Sequence, residues 1–232
     1  MKKIFIIFFS SLIMFSCGDK NGEVKKESIK NDLQTEKKSI TYEEIFKEVG
    51  ASLITKEYDE AHDRTEIITD DFNNEKKMFP ISEEKMDKIK IEIFETNIKN
   101  EDIAVKNLYN VRGNISFSCV SKDGYFDYNK IIVLTDNNRY EINGDILSQD
   151  LEHEGKYTIQ TSKFSIDQKK YEMLIDMAQS KKVRIRFTKN DNNKDFELSK
   201  GERDRIKDMY IMFNGALQLR DVFNTYIDYH NK

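Results

Sequence analysis

Apolar and polar residues alternate along several short stretches of the chain, a spacing of two that is typical of half-buried strands. Between Lys88 and Phe94 the isoleucines fall on one face and the charged side chains on the other. Residues 131–134 are apolar without a break, which indicates an interior strand covered on both faces. The turn residues 136–138 join this strand to 139–142 in a predicted hairpin. Further strands are predicted at 65–69, 114–120, 157–161, 183–187 and 196–198, the last two joined by a turn at 191–193.

A spacing of three and four residues predicts helices elsewhere. The predicted helices cover about residues 41–61, 167–180 and 199 onward. Thr41 with Glu44, and Ser199 with Glu202, have the spacing of capping boxes, and Asp167 is a favoured N-cap residue. The sequence therefore predicts where each helix begins.

The order of elements is helix, several strands, helix, two strands and helix. This order predicts an α+β fold in which a mostly antiparallel sheet is packed by N-terminal and C-terminal helices. Asn214-Gly215 predicts a break or kink within the last helix. The middle helix is predicted to bury a stripe that consists of Tyr171, Leu174, Ile175 and Ala178.

The N-terminus carries a different pattern. Lys2 and Lys3 precede an apolar run over residues 4–15. Twelve residues are too few to span a bilayer, which takes about 20, but they match the apolar region of a secretory signal peptide. The alternative, a buried core segment, fits poorly because the run lies at the extreme N-terminus and a polar segment follows it at once.

Met14-Phe15-Ser16-Cys17 resembles the lipobox of bacterial lipoproteins, although Phe15 is bulkier than the usual residue. The resemblance implies cleavage before Cys17, a diacylglycerol on its thiol and usually a third acyl chain, such as palmitate, on its amine. Two or more chains give stable membrane anchoring. Because Gly18 rather than aspartate follows the cysteine, the resemblance favours the outer membrane. The alternative is a secreted protein with an unmodified Cys17.

Residues 18–40 contain almost no large apolar side chains and cannot offset the entropy lost on folding. They are predicted to form a disordered tether with a reach of about 25–30 Å. The predicted organisation is thus a signal peptide at 1–16, a lipidated cysteine and tether at 17–40, and a single α+β domain at 41–232.

Charge and cysteine content narrow the classes of function. Loss of the two lysines with the signal peptide leaves 36 basic against 42 acidic side chains, a net charge near −6. A nucleic-acid-binding protein would present a basic face instead. The two cysteines are Cys17 and Cys119, so lipidation of Cys17 leaves no intrachain disulfide. Cys119 shares a strand face with Ile115 and Phe117 and is expected to be a buried, apolar residue.

Lys182, Arg184 and Arg186 project from one face of the predicted strand at 183–187. They form a predicted anion-binding site for a phosphate, a lipid headgroup or an acidic glycan. The alternative is a solvated face whose charges discourage edge-to-edge aggregation.

Three further clusters each have a functional and a structural interpretation. The acidic residues at 59–71 could bind Ca²⁺, but their spacing is not that of a calcium loop, and Asp70-Asp71 is expected to begin a turn. Glu152-His153-Glu154, predicted to lie in a loop, could act as an acid–base site. Tyr125 and Tyr128 could contact a sugar or a protein, or could pack at the end of a hairpin.

The motifs Gly-x-Ser-x-Gly, P-loop and Gly-x-Gly-x-x-Gly do not occur. We therefore expect a membrane-anchored lipoprotein of the cell envelope that binds or scaffolds without catalysis, cofactor or metal. Its expected partners are the membrane, through the lipid on Cys17, and a protein or glycan, on the periplasmic side or the cell surface. The alternative is an envelope hydrolase with a dispersed acid–base site. Over residues 65–213 the chain also resembles uncharacterised small bacterial envelope proteins. The resemblance lies in Asp70-Asp71-Phe72, the 131–142 hairpin and the 183–187 strand, and it brings no known activity.

Overall fold

The computed structural model describes residues 55–73, 75–81, 86–97, 109–144 and 146–230. The helices in these ranges are α1 (Lys56–Asp63), α2 (Gln168–Gln179) and α3 (Lys200–His230). The strands are β1 (Thr65–Asp70), β2 (Glu75–Pro80), β3 (Ile89–Asn97), β4 (Tyr109–Ser121), β5 (Lys130–Leu134), β6 (Arg139–Ile142), β7 (Ile146–Glu154), β8 (Tyr157–Ser165), β9 (Arg184–Lys189) and β10 (Asn192–Glu197). The described strands form two antiparallel sheets flanked by helices, which confirms the predicted α+β fold.

The larger sheet has six strands in the order β1-β2-β3-β4-β8-β7. Ile89, Ile91 and Ile93 of β3 are buried, whereas Lys90 and Glu92 lie on the opposite face, as the alternation predicted. The buried face packs against α3, where Gly113 of β4 leaves room for the ring of Phe213. Among the described residues, the hydrophobic core therefore lies on the α3 side of this sheet.

The smaller sheet has four strands in the order β10-β9-β5-β6. Ile131, Ile132 and Val133 are all buried, which confirms that β5 is an interior strand, and β5 pairs with β6 in the predicted hairpin. The β9–β10 hairpin turns at Asn190 and Asp191, slightly earlier than predicted. Asn190 has a φ of 53°, a left-handed conformation that asparagine adopts more readily than most residues.

Side-chain caps fix the N-termini of α2 and α3. The Glu202 carboxylate accepts a hydrogen bond from the Ser199 N–H at 2.8 Å, and the Glu202 N–H donates to Ser199 Oγ at 3.2 Å. This reciprocal pair is the predicted capping box. Asp167 accepts from the Lys170 N–H at 2.8 Å, so it is the N-cap of α2 as predicted.

Of the predicted break or kink at Asn214-Gly215, the break does not occur, because α3 is one continuous helix of 31 residues. Gly215 instead allows close packing of α1. A Cβ atom at this position would lie 2.6 Å from Cε2 of Tyr58, a distance that no ordinary side-chain contact reaches. The glycine is explained by tertiary contact and not by local backbone geometry.

Two other helix predictions need correction or lie beyond the described ranges. The most deeply buried residues of α2 are Met173, Leu174 and Met177, so the buried stripe is rotated toward the methionines, whose flexible side chains fill irregular gaps. The prediction of one helix over 41–61 is wrong at Thr55, because Thr55 is extended and is the N-cap of α1, which begins at Lys56. Residues 1–54, with the predicted signal peptide, Cys17, the tether and the capping box at Thr41, lie outside the described ranges.

Two strands of the larger sheet were not predicted. In β2 three charged residues precede Met78, Phe79 and Pro80, so the sequence has no clear alternation. Polar residues dominate the sequence of β7, an edge strand that is exposed along most of its length. The prediction that 152–154 forms a loop is therefore wrong, because these residues end β7 and pair with β8. An exposed edge strand has little need for the apolar alternation by which strands are recognised.

Candidate binding groove

A groove of about 380 Å³ lies on the face of the six-stranded sheet opposite the core. Its walls and floor are formed by side chains from β1, β2, β3, β4 and β8. The residues on which its chemistry depends are Glu66, Lys77, Phe79, Lys90, Glu92, Ser116 and Lys163.

Strand register places three of these side chains in one row across the sheet. Lys90 of β3 pairs with Ser116 of β4, and Ser116 pairs with Lys163 of β8. Residues paired in this way have Cβ atoms about 5 Å apart on the same face. Two lysines therefore flank a serine whose short, largely buried side chain lines the groove between them.

A carboxylate with two lysine partners lies beside this row. Oε1 of Glu92 lies 2.5 Å from Nζ of Lys77, and Oε2 of Glu92 lies 2.6 Å from Nζ of Lys163. The Glu92 side chain is only 15% exposed. Burial alone would raise the pKa of Glu92, but the hydrogen bonds from Lys163 and Lys77 outweigh it and lower the pKa. Glu92 is thus ionised at neutral pH and holds both ammonium groups in place.

Aromatic rings support the lysine at one end of the groove. The Lys77 ammonium lies 5.4 Å from the ring centre of Phe79 and 5.8 Å from that of Phe94. Arg112 stacks on Phe94 at 4.6 Å and is also paired with Glu75 at 2.7 Å. Cations over ring faces are stabilised by the ring quadrupole. One wall is therefore both apolar and positively charged.

Hydroxyl groups form part of the polar floor. Ser116 and Thr161 line the groove, and Ser118, one pleat further along β4, is buried with its Oγ 2.9 Å from Thr161 Oγ1. These side chains combine small volume with hydrogen-bonding capacity. The floor can accordingly bind polar ligand groups.

The groove has a small excess of positive charge. Asp87 also lines it, but its carboxylate is paired with Arg205 of α3 at 2.5 Å. Three lysines then face two carboxylates, those of Glu66 and Glu92. The residual charge favours an anionic or neutral polar ligand over a cationic one.

The predicted anion site belongs to the smaller sheet, and two of its three cations already form ion pairs. Arg186 donates to both oxygens of Asp195 at 2.7 and 2.6 Å, and Lys182 lies 3.1 Å from Glu197. Arg184 is opposite Glu197 in the strand register. Glu197 and Asp195 of β10 thus pair with two of the three cations on this face, an arrangement that fits the solvated alternative better than a binding site. The sequence did not reveal these pairs because they depend on the register of the hairpin.

The predicted acid–base cluster is not brought together. Successive residues of a strand point to opposite faces, so His153 lies on one face of β7 while Glu152 and Glu154 lie on the other. The His153 ring nitrogen Nδ1 is 3.4 Å from Thr158 Oγ1. This geometry provides no paired acid and base.

The two tyrosines have different roles. Tyr128 is buried, its hydroxyl is 2.6 Å from Ser162 Oγ, and its ring centre is 4.7 Å from that of Phe187. Burial raises the pKa of Tyr128 to about 12. Tyr125 is exposed. Packing is therefore the correct interpretation for Tyr128.

The remaining candidates have local explanations. Asp70 accepts hydrogen bonds from the backbone N–H of Phe72 and of Asn73, so it does begin a turn. Cys119 is buried with a free thiol, and burial raises its pKa to about 11. Within the described ranges, no group of three or more His, Cys, Asp or Glu side chains is arranged to hold a metal ion.

A second, larger cleft of about 640 Å³ lies between α1 and α3. Its best-defined feature is a bidentate ion pair in which Arg64 donates to Asp208 at 2.7 and 2.8 Å. Both charges of that pair are satisfied by each other. We therefore regard the sheet groove as the better candidate site.

Comparison with known proteins does not narrow the function. No protein family matches the chain, and no curated protein or solved structure has significant similarity to it. Among the helices that the structure describes, none is long and apolar enough to cross a membrane.

Proposed function

We propose that the protein is a lipid-anchored bacterial envelope protein that binds a ligand in the sheet groove and does not transform it. The lipobox-like Met14-Phe15-Ser16-Cys17 is the observation that carries the proposal, because it predicts both export and anchoring. Acylation of Cys17 would hold the chain at the membrane, with the outer membrane favoured by Gly18. The polar segment at 18–40 would give the domain reach from the bilayer.

The groove supports the binding part of the proposal. Glu92 orients the ammonium groups of Lys77 and Lys163, and hydroxyl groups line the floor. Small-molecule sites typically combine a concave surface with a few convergent polar groups. The separation of His153 from Glu152 and Glu154 gives the hydrolase alternative no support from those residues.

Metabolic labelling tests the anchor directly. Bacteria expressing the full chain would be grown with an alkyne-tagged palmitate, and label on the protein would be measured after detergent extraction. We expect the parent protein to be labelled and to fractionate with membranes, and Cys17→Ser to lose both properties. Cys119→Ser is the matched control and should keep both, because Cys119 is buried. Label on the Cys17→Ser protein, or its unchanged membrane association, would refute the anchor.

Protease treatment of intact and permeabilised cells then separates the two possible locations of the domain. Digestion in intact cells would place it on the cell surface, and protection until permeabilisation would place it in the periplasm. The result decides whether the ligand is to be sought outside the cell or within the envelope.

A further inference from the structure

We infer that the groove binds a small ligand through an oxyanion, a carboxylate or phosphate group, placed above Ser116 between Lys90 and Lys163. The inference rests on the proposed binding function and adds the chemical class of the ligand. It is carried by strand register, by the charge balance of the groove and by the ring on its wall.

Strand register defines the position of the anion. Ser116 is the common pairing partner of Lys90 and Lys163 in the two neighbouring strands. The two ammonium groups can reach over the short serine side chain from opposite sides, and the serine hydroxyl can donate a hydrogen bond from below. Donors from three strands would then surround one oxyanion.

The ammonium groups retain the donors that such a ligand requires. A lysine ammonium has three N–H donors, and Lys77 and Lys163 each contact one oxygen of Glu92. Among the residues that the structure describes, no carboxylate lies within ion-pair distance of Lys90. Glu92 therefore fixes two ammonium groups without exhausting them, and Lys90 is available for a ligand.

The wall of the groove indicates the rest of the ligand. Phe79 lines the groove beside Lys77, and its ring offers an apolar surface to a flat or weakly polar ring. A sugar carrying an acidic group has both properties, an apolar ring face and an oxyanion. Acidic sugars are therefore the appropriate probes.

The first experiment titrates the purified protein with glucuronate, glucose 6-phosphate and glucose, followed by NMR or calorimetry at low ionic strength. We expect at least one acidic sugar to bind about tenfold or more tightly than glucose, the effect of one or two charge-assisted hydrogen bonds. A preference for glucuronate would identify a carboxylate ligand, and a preference for glucose 6-phosphate a phosphate ligand. Equal affinity for glucose, or no binding of either acidic sugar at millimolar concentration, would overturn the inference.

Matched variants locate the site. Lys90→Gln and Lys163→Gln should each weaken binding of the acidic sugar about tenfold. Lys182→Gln removes the same charge from the smaller sheet and should leave the affinity unchanged. Equal weakening by all three variants would mean that only net charge matters, and the inference would fail. Lys90→Gln breaks no ion pair among the described residues, so it remains informative if Lys163→Gln perturbs the fold.

Failure of these titrations would not affect the labelling of Cys17. A protein that is acylated but binds neither acidic sugar would keep the proposed anchor and lose only this ligand. A protein that binds the acidic sugar but is not acylated would lose the anchor and keep the groove. The two proposals can therefore fail independently.

Discussion

Replacing Gly215 with alanine tests how α1 packs on α3. The added methyl group would lie 2.6 Å from Cε2 and 2.9 Å from Cδ2 of Tyr58, so the tyrosine ring or the helix must move. Alanine favours the interior of a helix over glycine by about 1 kcal/mol, whereas overpacking costs about 1–3 kcal/mol. Because the second effect is the larger, we expect Gly215→Ala to lower the free energy of unfolding by about 1 kcal/mol.

Gly215→Ala should change the free energy of unfolding in the opposite direction once the Tyr58 ring is removed. In a Tyr58→Ala background, Gly215→Ala should raise the free energy of unfolding by up to about 1 kcal/mol, because only the helix preference remains. The coupling energy from the double-mutant cycle would then be about 2 kcal/mol, within the range for residues in contact.

The assay is urea unfolding of the four proteins, monitored by circular dichroism. Gly201→Ala is a control in the same helix, because its Cβ would approach only the end of the Arg205 side chain, at 3.4 Å. This control should be neutral or slightly stabilising. If Gly215→Ala stabilises the protein equally with and without Tyr58, the proposed contact does not limit the packing and the reasoning is refuted.

Two further predictions concern buried titratable groups. Burial would raise the pKa of Glu202, but hydrogen bonds from the backbone N–H of Lys88 and of Ser199 lower it overall. Ionised Glu202 should stabilise the fold fully at pH values above its unfolded-state pKa of about 4.3. This stabilisation should be lost as the pH falls through the lower pKa of the folded state. Glu202→Gln should therefore be less stable at neutral pH and lose less stability on acidification; an identical pH profile by urea unfolding would contradict this. Cys119, with a pKa near 11 and a buried side chain, should react with a thiol reagent at about pH 8 only after urea is added. Rapid labelling of the native Cys17→Ser protein would show that Cys119 is accessible.

The predictable parts of the fold are those in which local pattern and tertiary packing agree. The isoleucines of β3 alternate with charged residues because one face of the strand packs on α3. The capping box at Ser199 and Glu202 was recognisable because its hydrogen bonds join residues three apart in the sequence. β7 was missed because an exposed edge strand can be polar on both faces.

The groove could be predicted only in part. Lys90 and Glu92 were placed on the polar face of their strand, but Lys163 reaches Glu92 through a strand order in which β4 lies between β3 and β8. That order joins segments about 70 residues apart in the sequence and leaves no local signal. Lys77 lies in β2, whose sequence did not indicate a strand. The cations on β9 were visible in the sequence, but their carboxylate partners became apparent only with the register of the hairpin.

The two faces of β3 make the spacing of the groove residues difficult to change without unfolding the protein. A shift of its pairing by a single residue would place Lys90 and Glu92 in the core and expose Ile89, Ile91 and Ile93. The energetic penalty for such a shift comes from the core and applies whether or not a ligand is present. Specificity at the site can therefore change by substitution of individual groove residues, whereas the spacing between them is protected by the hydrophobic residues on the reverse of the same strand.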